Sequence, residues 1–438
     1  MKISLKNSYS IKKEKEYFLY LIYFIFLYAL FAPRRVKMLL SLNVDGVATT
    51  NELWIVPIVC FFMFYLLKPV DKNKRLGNRE DIFVIIFYLY LFIIAIGSFK
   101  AISIPQYLYS SLLFIIPMLV FFPISYCRDI DVKRLLKVFI VTCLIYSVFA
   151  LILSAHYTFF MDLVGNSSDK YQGYKQYRVP MMLGSSIAVS YYFNMTLPLC
   201  FYMFYKSEEK KWKVISALSI ATNIIATFVL LSRAAVLCAI LIIMFNLLFM
   251  RDKKITFRTK IVLAVLLLLV TIFTIKKYDL SRLTLGFDKS ESSIALRIEA
   301  AKLALHIFSK NPVFGSGMGR YFKRAYIHTP NNVYICVDGI NGLIDPHNMY
   351  LLILSEMGII GLIISLAMFI VLFYRFLKIE EKTLSKTACL TLAAFLLDAM
   401  GGSHLLNSIS FSVLFWIYMG VFNNLYMRDK FHCSSNTI

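Results

Sequence analysis

The chain has 438 residues, of which 59% are hydrophobic, 16% aromatic and only 16% charged. Its mean hydropathy is +0.69. This composition excludes a soluble globular domain, in which about a quarter of the residues carry a charge. The net charge of +22 comes from Lys and Arg in every second loop, which is the pattern of cytoplasmic loops in membrane proteins. We therefore predict an integral membrane protein and exclude nucleic acid as a partner.

Apolar runs recur along the chain. Because a helix needs about 20 apolar residues to cross a bilayer, we predict an all-α, polytopic protein with about 12 transmembrane helices. The predicted spans are residues 17–32, 52–67, 81–97, 103–124, 134–154, 180–205, 213–231, 233–250, 260–276, 347–374, 386–402 and 405–427.

The basic loops set the predicted topology. An even number of spans and basic clusters at both ends place both termini in the cytoplasm. Residues 1–276 then form an N-terminal bundle of about nine helices, and residues 347–438 contribute about three more. Residues 277–346 form a large extracytoplasmic loop that contains short amphipathic helices.

His347 lies where this polar loop meets the next apolar run. We expect Asp345 to cap the following helix and Pro346 to be its first residue, because both types favour these positions. His347 then falls in the first turn, where the helix dipole disfavours a charged imidazole and leaves it able to accept a proton. A purely structural, hydrogen-bonded histidine is the alternative.

Three arginines are predicted to lie at the outer membrane surface. The apolar stretch from 213 to 250 is too long for one span, so it must turn at Ser232-Arg233, between two basic cytoplasmic flanks. A charge at that depth requires a partner or a function. Arg178 precedes an apolar span and could hold phosphate oxygens, or it could be an interfacial arginine that reaches for water.

Arg297 lies on a predicted amphipathic helix along the outer interface. It flanks an apolar stripe and could point inward over the bundle, or it could be solvated beside Glu299 or Glu291. The residues predicted to form the stripe repeat with helical spacing and are Ile294, Ile298, Ala301, Leu305 and Phe308.

Other signals carry less weight. Glu356 lies on the opposite side of the predicted helix from His347, about 13 Å further along it, so we expect a structural role for it. The segment Gly315-Ser316-Gly317-Met318-Gly319 imitates a dinucleotide-binding loop but lacks the strand and helix that such a loop needs. No cluster has the spacing of metal ligands, and we predict neither a metal nor a cofactor.

Taken together, the motifs resemble the bacterial O-antigen ligase and O-antigen polymerase family. The matching segments are Leu231-Ser232-Arg233-Ala234-Ala235, Ala295-Leu296-Arg297-Ile298-Glu299, Asn311-Pro312-Val313-Phe314-Gly315-Ser316-Gly317-Met318-Gly319-Arg320-Tyr321, and Pro346-His347-Asn348-Met349-Tyr350-Leu351 followed by Glu356-Met357-Gly358-Ile359-Ile360-Gly361. Their order and the large loop before the histidine also fit.

The resemblance implies an inverting, metal-independent glycosyl transfer from a glycan on undecaprenyl pyrophosphate, at the outer side of the inner (plasma) membrane of a bacterium. The family's catalytic residues map to Arg233, Arg297 and His347. We add Arg178, Arg320 and Tyr350 as predicted substrate-binding residues. A chain-length regulator and a flippase are expected partners, besides the lipid-linked glycan and the bilayer.

Three activities remain open. We favour a polymerase, which transfers the glycan to another lipid-linked repeat, over a ligase, which transfers it to lipid A-core. A flippase for lipid-linked oligosaccharides is a more distant alternative, because a transporter would place its charges along a central cavity and would not need a large outward loop.

Overall fold

The chain is almost entirely helical in the computed structural model. The model describes residues 2–37, 43–44, 47–48, 51–66, 81–99, 104–127, 130–156, 181–249, 292–319, 321, 336–337, 340–341 and 346–435. Two short antiparallel strand pairs, β1 (Asn43–Val44) with β2 (Val47–Ala48) and β3 (Cys336–Val337) with β4 (Ile340–Asn341), are the strands among these residues. The all-α prediction is confirmed.

The helices follow the apolar runs. The first seven are α1 (Lys2–Phe31), α2 (Arg34–Lys37), α3 (Glu52–Leu66), α4 (Ile82–Ser98), α5 (Ile104–Leu119), α6 (Phe121–Tyr126) and α7 (Val132–His156). A 3-10 turn at Met181–Leu183 precedes α8 (Ser186–Lys206), α9 (Lys210–Val229), α10 (Arg233–Phe249) and α11 (Ser292–Lys310). The last four are α12 (Met349–Leu377), α13 (Lys382–Asp398), α14 (His404–Asn407) and α15 (Ile409–Ser435).

The described chain is that of a membrane protein. Six of its helical segments are long and apolar enough to cross a bilayer, and shorter apolar helices accompany them. Every predicted span coincides with a helix except 260–276, which lies outside the described residues. The total of about 12 spans and the cytoplasmic position of the termini stay predictions, as does most of the proposed loop 277–346.

Two helices form the centre of the bundle. In α8 and in α15, 89% of the most apolar stretch is buried inside the protein, a larger share than in the other long spans. Helices α7, α9, α10 and α13 pack around α8, while α1, α5 and α6 pack against α15. Helices from the predicted N-terminal and C-terminal regions therefore pack against each other.

Two buried ion pairs hold α15. At its start, Ser410 donates to the carboxylate of Glu52 and accepts a 2.6 Å hydrogen bond from Lys37 Nζ, which lies 3.2 Å from Glu52. Near its middle, Asn423 accepts from Arg375, which pairs with Asp81.

Lys37 also connects distant parts of the chain. Its Nζ donates to the carbonyls of Ala29 and Met182, each at 3.0 Å. Burial lowers the pKa of Lys37 below its ordinary value, and the Glu52 carboxylate opposes this shift. The pair thus anchors the turn at Met181–Leu183 to α1, α3 and α15.

We expect Lys37→Met to lower the melting temperature of the detergent-purified protein, because it leaves the Glu52 carboxylate buried without its ammonium. Removing one partner of a buried pair costs roughly 3–5 kcal/mol, whereas replacing both by apolar residues costs much less. The double variant Lys37→Met/Glu52→Met should therefore melt above the single variant. Lys302→Met, which breaks the exposed Lys302–Glu299 pair, is the control. Equal melting temperatures for the two single variants would contradict this expectation.

Candidate active site

His347 does not lie in the first turn of a helix. Helix α12 begins at Met349 and its N-cap is Asn348, whose side chain accepts a 3.0 Å hydrogen bond from Leu351 N. The prediction that Asp345 caps this helix was wrong. His347 precedes the cap, is half-buried and has a φ of 48°. A left-handed backbone at a residue with a side chain is uncommon and strained. Here it occurs at the residue that is expected to act as the base.

The mouth of α12 is fixed to the end of α13. Met349 N donates to the carbonyl of Ala399 at 2.9 Å, and Asn348 Nδ2 donates to that of Met400 at 3.2 Å. The hydroxyl of Tyr350 donates to the carbonyl of Leu396 at 2.8 Å. Tyr350, predicted to bind substrate, thus makes a helix–helix contact in this structure.

Asp398 joins this end of α13 to the start of α10. The Asp398 side chain is buried and accepts a 2.9 Å hydrogen bond from Asn194 Nδ2 of α8. The same amide nitrogen donates to the carbonyl of Ala235 at 2.9 Å. Ala235 lies two residues beyond Arg233. The start of α10, at Arg233, and the start of α12, after His347, therefore lie at the same end of the bundle.

The predicted turn before Arg233 is present. Helix α9 ends at Val229, Leu231 has a φ of 55°, and α10 begins at Arg233, which is half-buried. Ser232 is buried and its carbonyl accepts from Val236 N at 2.9 Å. The turn therefore breaks the long apolar stretch and places Arg233 at the mouth of a helix.

Arg297 lies on α11, which packs against α12. The face of α11 that is buried consists of Ala300, Ala304 and Ile307, whereas Ile298 and Leu305 are exposed. Ile298 and Leu305 of the predicted stripe are therefore not part of the face that is buried within the protein. Arg297 is exposed and lies one turn before the buried Ala300.

A break in α12 explains the glycine-rich segment. Gly358 has φ 68° and ψ −167° inside the helix, a conformation that is open essentially to glycine alone. The carbonyls freed at this break accept from the segment that follows α11: Ser316 N donates to Ser355 O at 2.9 Å, and Gly317 N donates to Glu356 O at 2.8 Å. We call this segment, residues 312–317, the clasp, because it surrounds the break.

The clasp also includes residues beyond the glycines. Ile359 N donates to the carbonyl of Pro312 at 2.9 Å. A Cβ on Gly315 would collide with the backbone of Glu356 and Gly358. Glu356 is buried, and its Oε1 accepts from Tyr321 N at 3.1 Å, which agrees with a structural role.

The remaining predicted site residues, Arg178 and Arg320, lie outside the described residues. Within the described ranges, no group of three or more His, Cys, Asp and Glu side chains is placed to hold a metal ion.

Residues 216–366 match the O-antigen ligase family model. The match contains Arg233, Arg297, the clasp and His347, and it confirms the resemblance that the motifs indicated. The family implies a membrane glycosyltransferase of the ligase or polymerase type. No curated protein matches the chain.

Sequence reasoning missed Asn194 and gave Asp398 little weight. Both are polar residues in helices of an otherwise apolar bundle, where such groups are expensive and usually paired. That cost could have flagged them, although the sequence does not say that they pair with each other across 204 positions.

We expect Gly315→Ala to destabilise the protein strongly, because the added Cβ meets backbone atoms that cannot move aside. Gly184→Ala is the matched control, because Gly184 also has a positive φ of 79° but has nothing within 4 Å of an added Cβ. The control carries only the conformational cost, about 1–2 kcal/mol. The fraction of monodisperse protein in size-exclusion chromatography and the melting temperature measure the difference. Similar behaviour of the two variants would show that the clasp tolerates the extra volume.

Proposed function

We propose that this protein polymerises oligosaccharide repeats linked to undecaprenyl pyrophosphate into O-antigen or capsular polysaccharide, at the outer face of the bacterial inner membrane. One observation carries the proposal. The starts of α10 and α12, which bear Arg233 and His347, are tied to each other through Asp398 and Asn194. Helix α11, which bears Arg297, packs on α12.

The proposed chemistry requires a general base for the acceptor hydroxyl and stabilisation of the leaving group. The acceptor hydroxyl attacks the anomeric carbon of the donor sugar, the bond from that carbon to the pyrophosphate oxygen breaks, and the configuration inverts. The hydroxyl proton passes to His347 as general base, a role that contributes roughly 10²–10⁴-fold to the rate. Undecaprenyl pyrophosphate leaves with the electron pair of the broken bond.

Arg233 and Arg297 supply the second requirement, which is stabilisation of the leaving group. A guanidinium forms two parallel hydrogen bonds with phosphate oxygens and stays charged at any physiological pH. Fixed charges directed at a leaving group act most strongly where water is excluded. Two arginines on different helices can therefore hold the pyrophosphate from two sides without a metal.

The position of His347 suits a base. It precedes the N-cap of α12, and its φ of 48° fixes the direction in which its side chain leaves the backbone. The side chain of Asn348 makes hydrogen bonds with Leu351 N and with the carbonyl of Met400, which hold the backbone on the C-terminal side of His347. A fixed backbone beside the base supports the proposal that the base keeps its position when the acceptor exchanges.

A ligase is the second candidate function, because the matching family model carries the description O-antigen ligase. The two reactions share the donor and differ in the acceptor, which is another lipid-linked repeat for a polymerase and lipid A-core for a ligase. The chain-length regulator and the flippase are proposed partners in either case.

A deletion strain examined by glycan gel distinguishes the candidates. Loss of a polymerase should leave single repeats attached to the acceptor. Loss of a ligase should leave bare core, with polymer retained on the carrier lipid. Absence of any surface repeat would instead favour the flippase and contradict the proposal.

We expect His347→Ala and Arg297→Ala each to reduce glycan transfer by about 10²-fold or more, because each removes charge or proton transfer at the reacting bond. His306→Ala and Lys302→Ala are the controls, since both side chains are exposed on α11. Transfer is measured with purified protein in liposomes that contain lipid-linked donor. Full activity of His347→Ala and Arg297→Ala at normal protein levels would contradict the assignment.

A further inference from the structure

We propose that Tyr321 and Glu356 are positioning residues that set where Arg297 stands relative to His347. This inference rests on the proposed function. Neither residue is assigned a contact with substrate. Both are buried, and together they connect the helix that carries Arg297 to the helix that begins beside His347.

The first link joins Tyr321 to α11. The Tyr321 side chain is fully buried, and its hydroxyl donates to the carbonyl of Ala300 at 3.0 Å. Ala300 lies three residues after Arg297, which is about 4.5 Å along the helix axis. The hydrogen bond therefore holds the turn of α11 that carries the arginine.

The second link joins Tyr321 to α12. Glu356 Oε1 accepts from the backbone N–H of Tyr321 at 3.1 Å. Glu356 lies two residues before the break at Gly358, where the backbone is already held by Ser316 and Gly317. The carboxylate thus extends the clasp from the glycine-rich segment to Tyr321.

The two links form one chain of contacts, from Glu356 through Tyr321 to Ala300. The start of α12 is fixed independently, through Ala399 and Met400 of the α13 end. The span between Arg297 and His347 is therefore set by how α11 is held on α12. A shift of about 1 Å at a catalytic group can cost on the order of 10²-fold in rate.

The contacts predict different effects for different substitutions. Tyr321→Phe keeps the ring and loses the hydrogen bond to Ala300. It should lower the turnover number about tenfold, which is less than the loss expected for a full shift of the catalytic group. Glu356→Gln keeps a carbonyl oxygen for Tyr321 N and should stay within about threefold of wild type, whereas Glu356→Leu removes the acceptor and should lose far more.

The decisive experiment is a double-mutant cycle with Arg297→Ala, in liposomes with radiolabelled lipid-linked donor. A residue that acts through Arg297 has little effect once that arginine is gone, whereas an independent structural role reduces activity by the same factor in both backgrounds. We expect Tyr321→Phe to change the residual rate of Arg297→Ala by less than about twofold. The residual rate is followed over hours so that it can be quantified.

Tyr418→Phe is the matched control. Tyr418 is also fully buried, and its hydroxyl shares a 2.9 Å hydrogen bond with Thr196 between α8 and α15. Its loss should lower the melting temperature as much as Tyr321→Phe does, and its effect on activity should be equal in both backgrounds.

The outcomes separate this inference from the proposed function. Wild-type activity in Tyr321→Phe, equal factors in both backgrounds, or inactivity of Glu356→Gln equal to that of Glu356→Leu would each overturn the positioning role and leave the function standing. No transfer by the wild-type protein, or full transfer by Arg297→Ala, would overturn the proposed site and the positioning role with it.

Discussion

The close contact between Gly315 and Gly358 is the constraint on which the candidate site depends. Side chains at either position would collide with the other backbone, so the two segments meet only because both residues are glycine. The contact lets the segment after α11 supply the hydrogen-bond donors that α12 lacks at its break. An unpaired backbone carbonyl inside a membrane protein costs several kcal/mol. The clasp therefore stabilises the break by donating to its carbonyls, and the break in turn gives the clasp its acceptors.

A break in a membrane helix usually serves close packing or function. Here the break lies in the helix against which α11 packs, with two alanines in the buried face of α11. Small residues permit the closest approach of two helices. Tyr321, which is held by Glu356 of α12, donates to Ala300 one turn after the arginine of α11. The glycines, the alanines and the break act as one unit, although they are far apart in the sequence.

The sequence predicted this architecture unevenly. Apolar runs locate the helices because the bilayer imposes their length, and the Ser232-Arg233 turn follows from the length of one run alone. The start of α12 was misplaced because Asp345, Pro346 and Asn348 are all good residues for a helix start, and local preference does not choose among them. Periodicity likewise located apolar residues on α11 but did not say which of them pack inside the protein, where Ala300, Ala304 and Ile307 are buried.

The network around Asp398 could not be predicted at all, because hydrogen bonds between helices depend on how the helices pack. Polar residues in apolar spans show that partners are needed, not which ones. The glycine-rich segment is the opposite case. The sequence excludes a nucleotide-binding loop there, but the structural role of its glycines follows only from the position of Gly358 against Gly315.

Backbone strain gives an independent indication of where the protein works. The non-glycine residues with positive φ in the described chain are Met181, Leu231 and His347. They precede α8, α10 and α12. The starts of α10 and α12 are joined through Ala235, Asn194, Asp398 and Ala399, and Leu183, before α8, accepts from Ser408 after α14. Such strain costs of order 1–3 kcal/mol per residue and tends to collect where it has a function. A bundle that needed only to be stable would gain nothing by concentrating it at one end, the end that also carries Arg233 and His347.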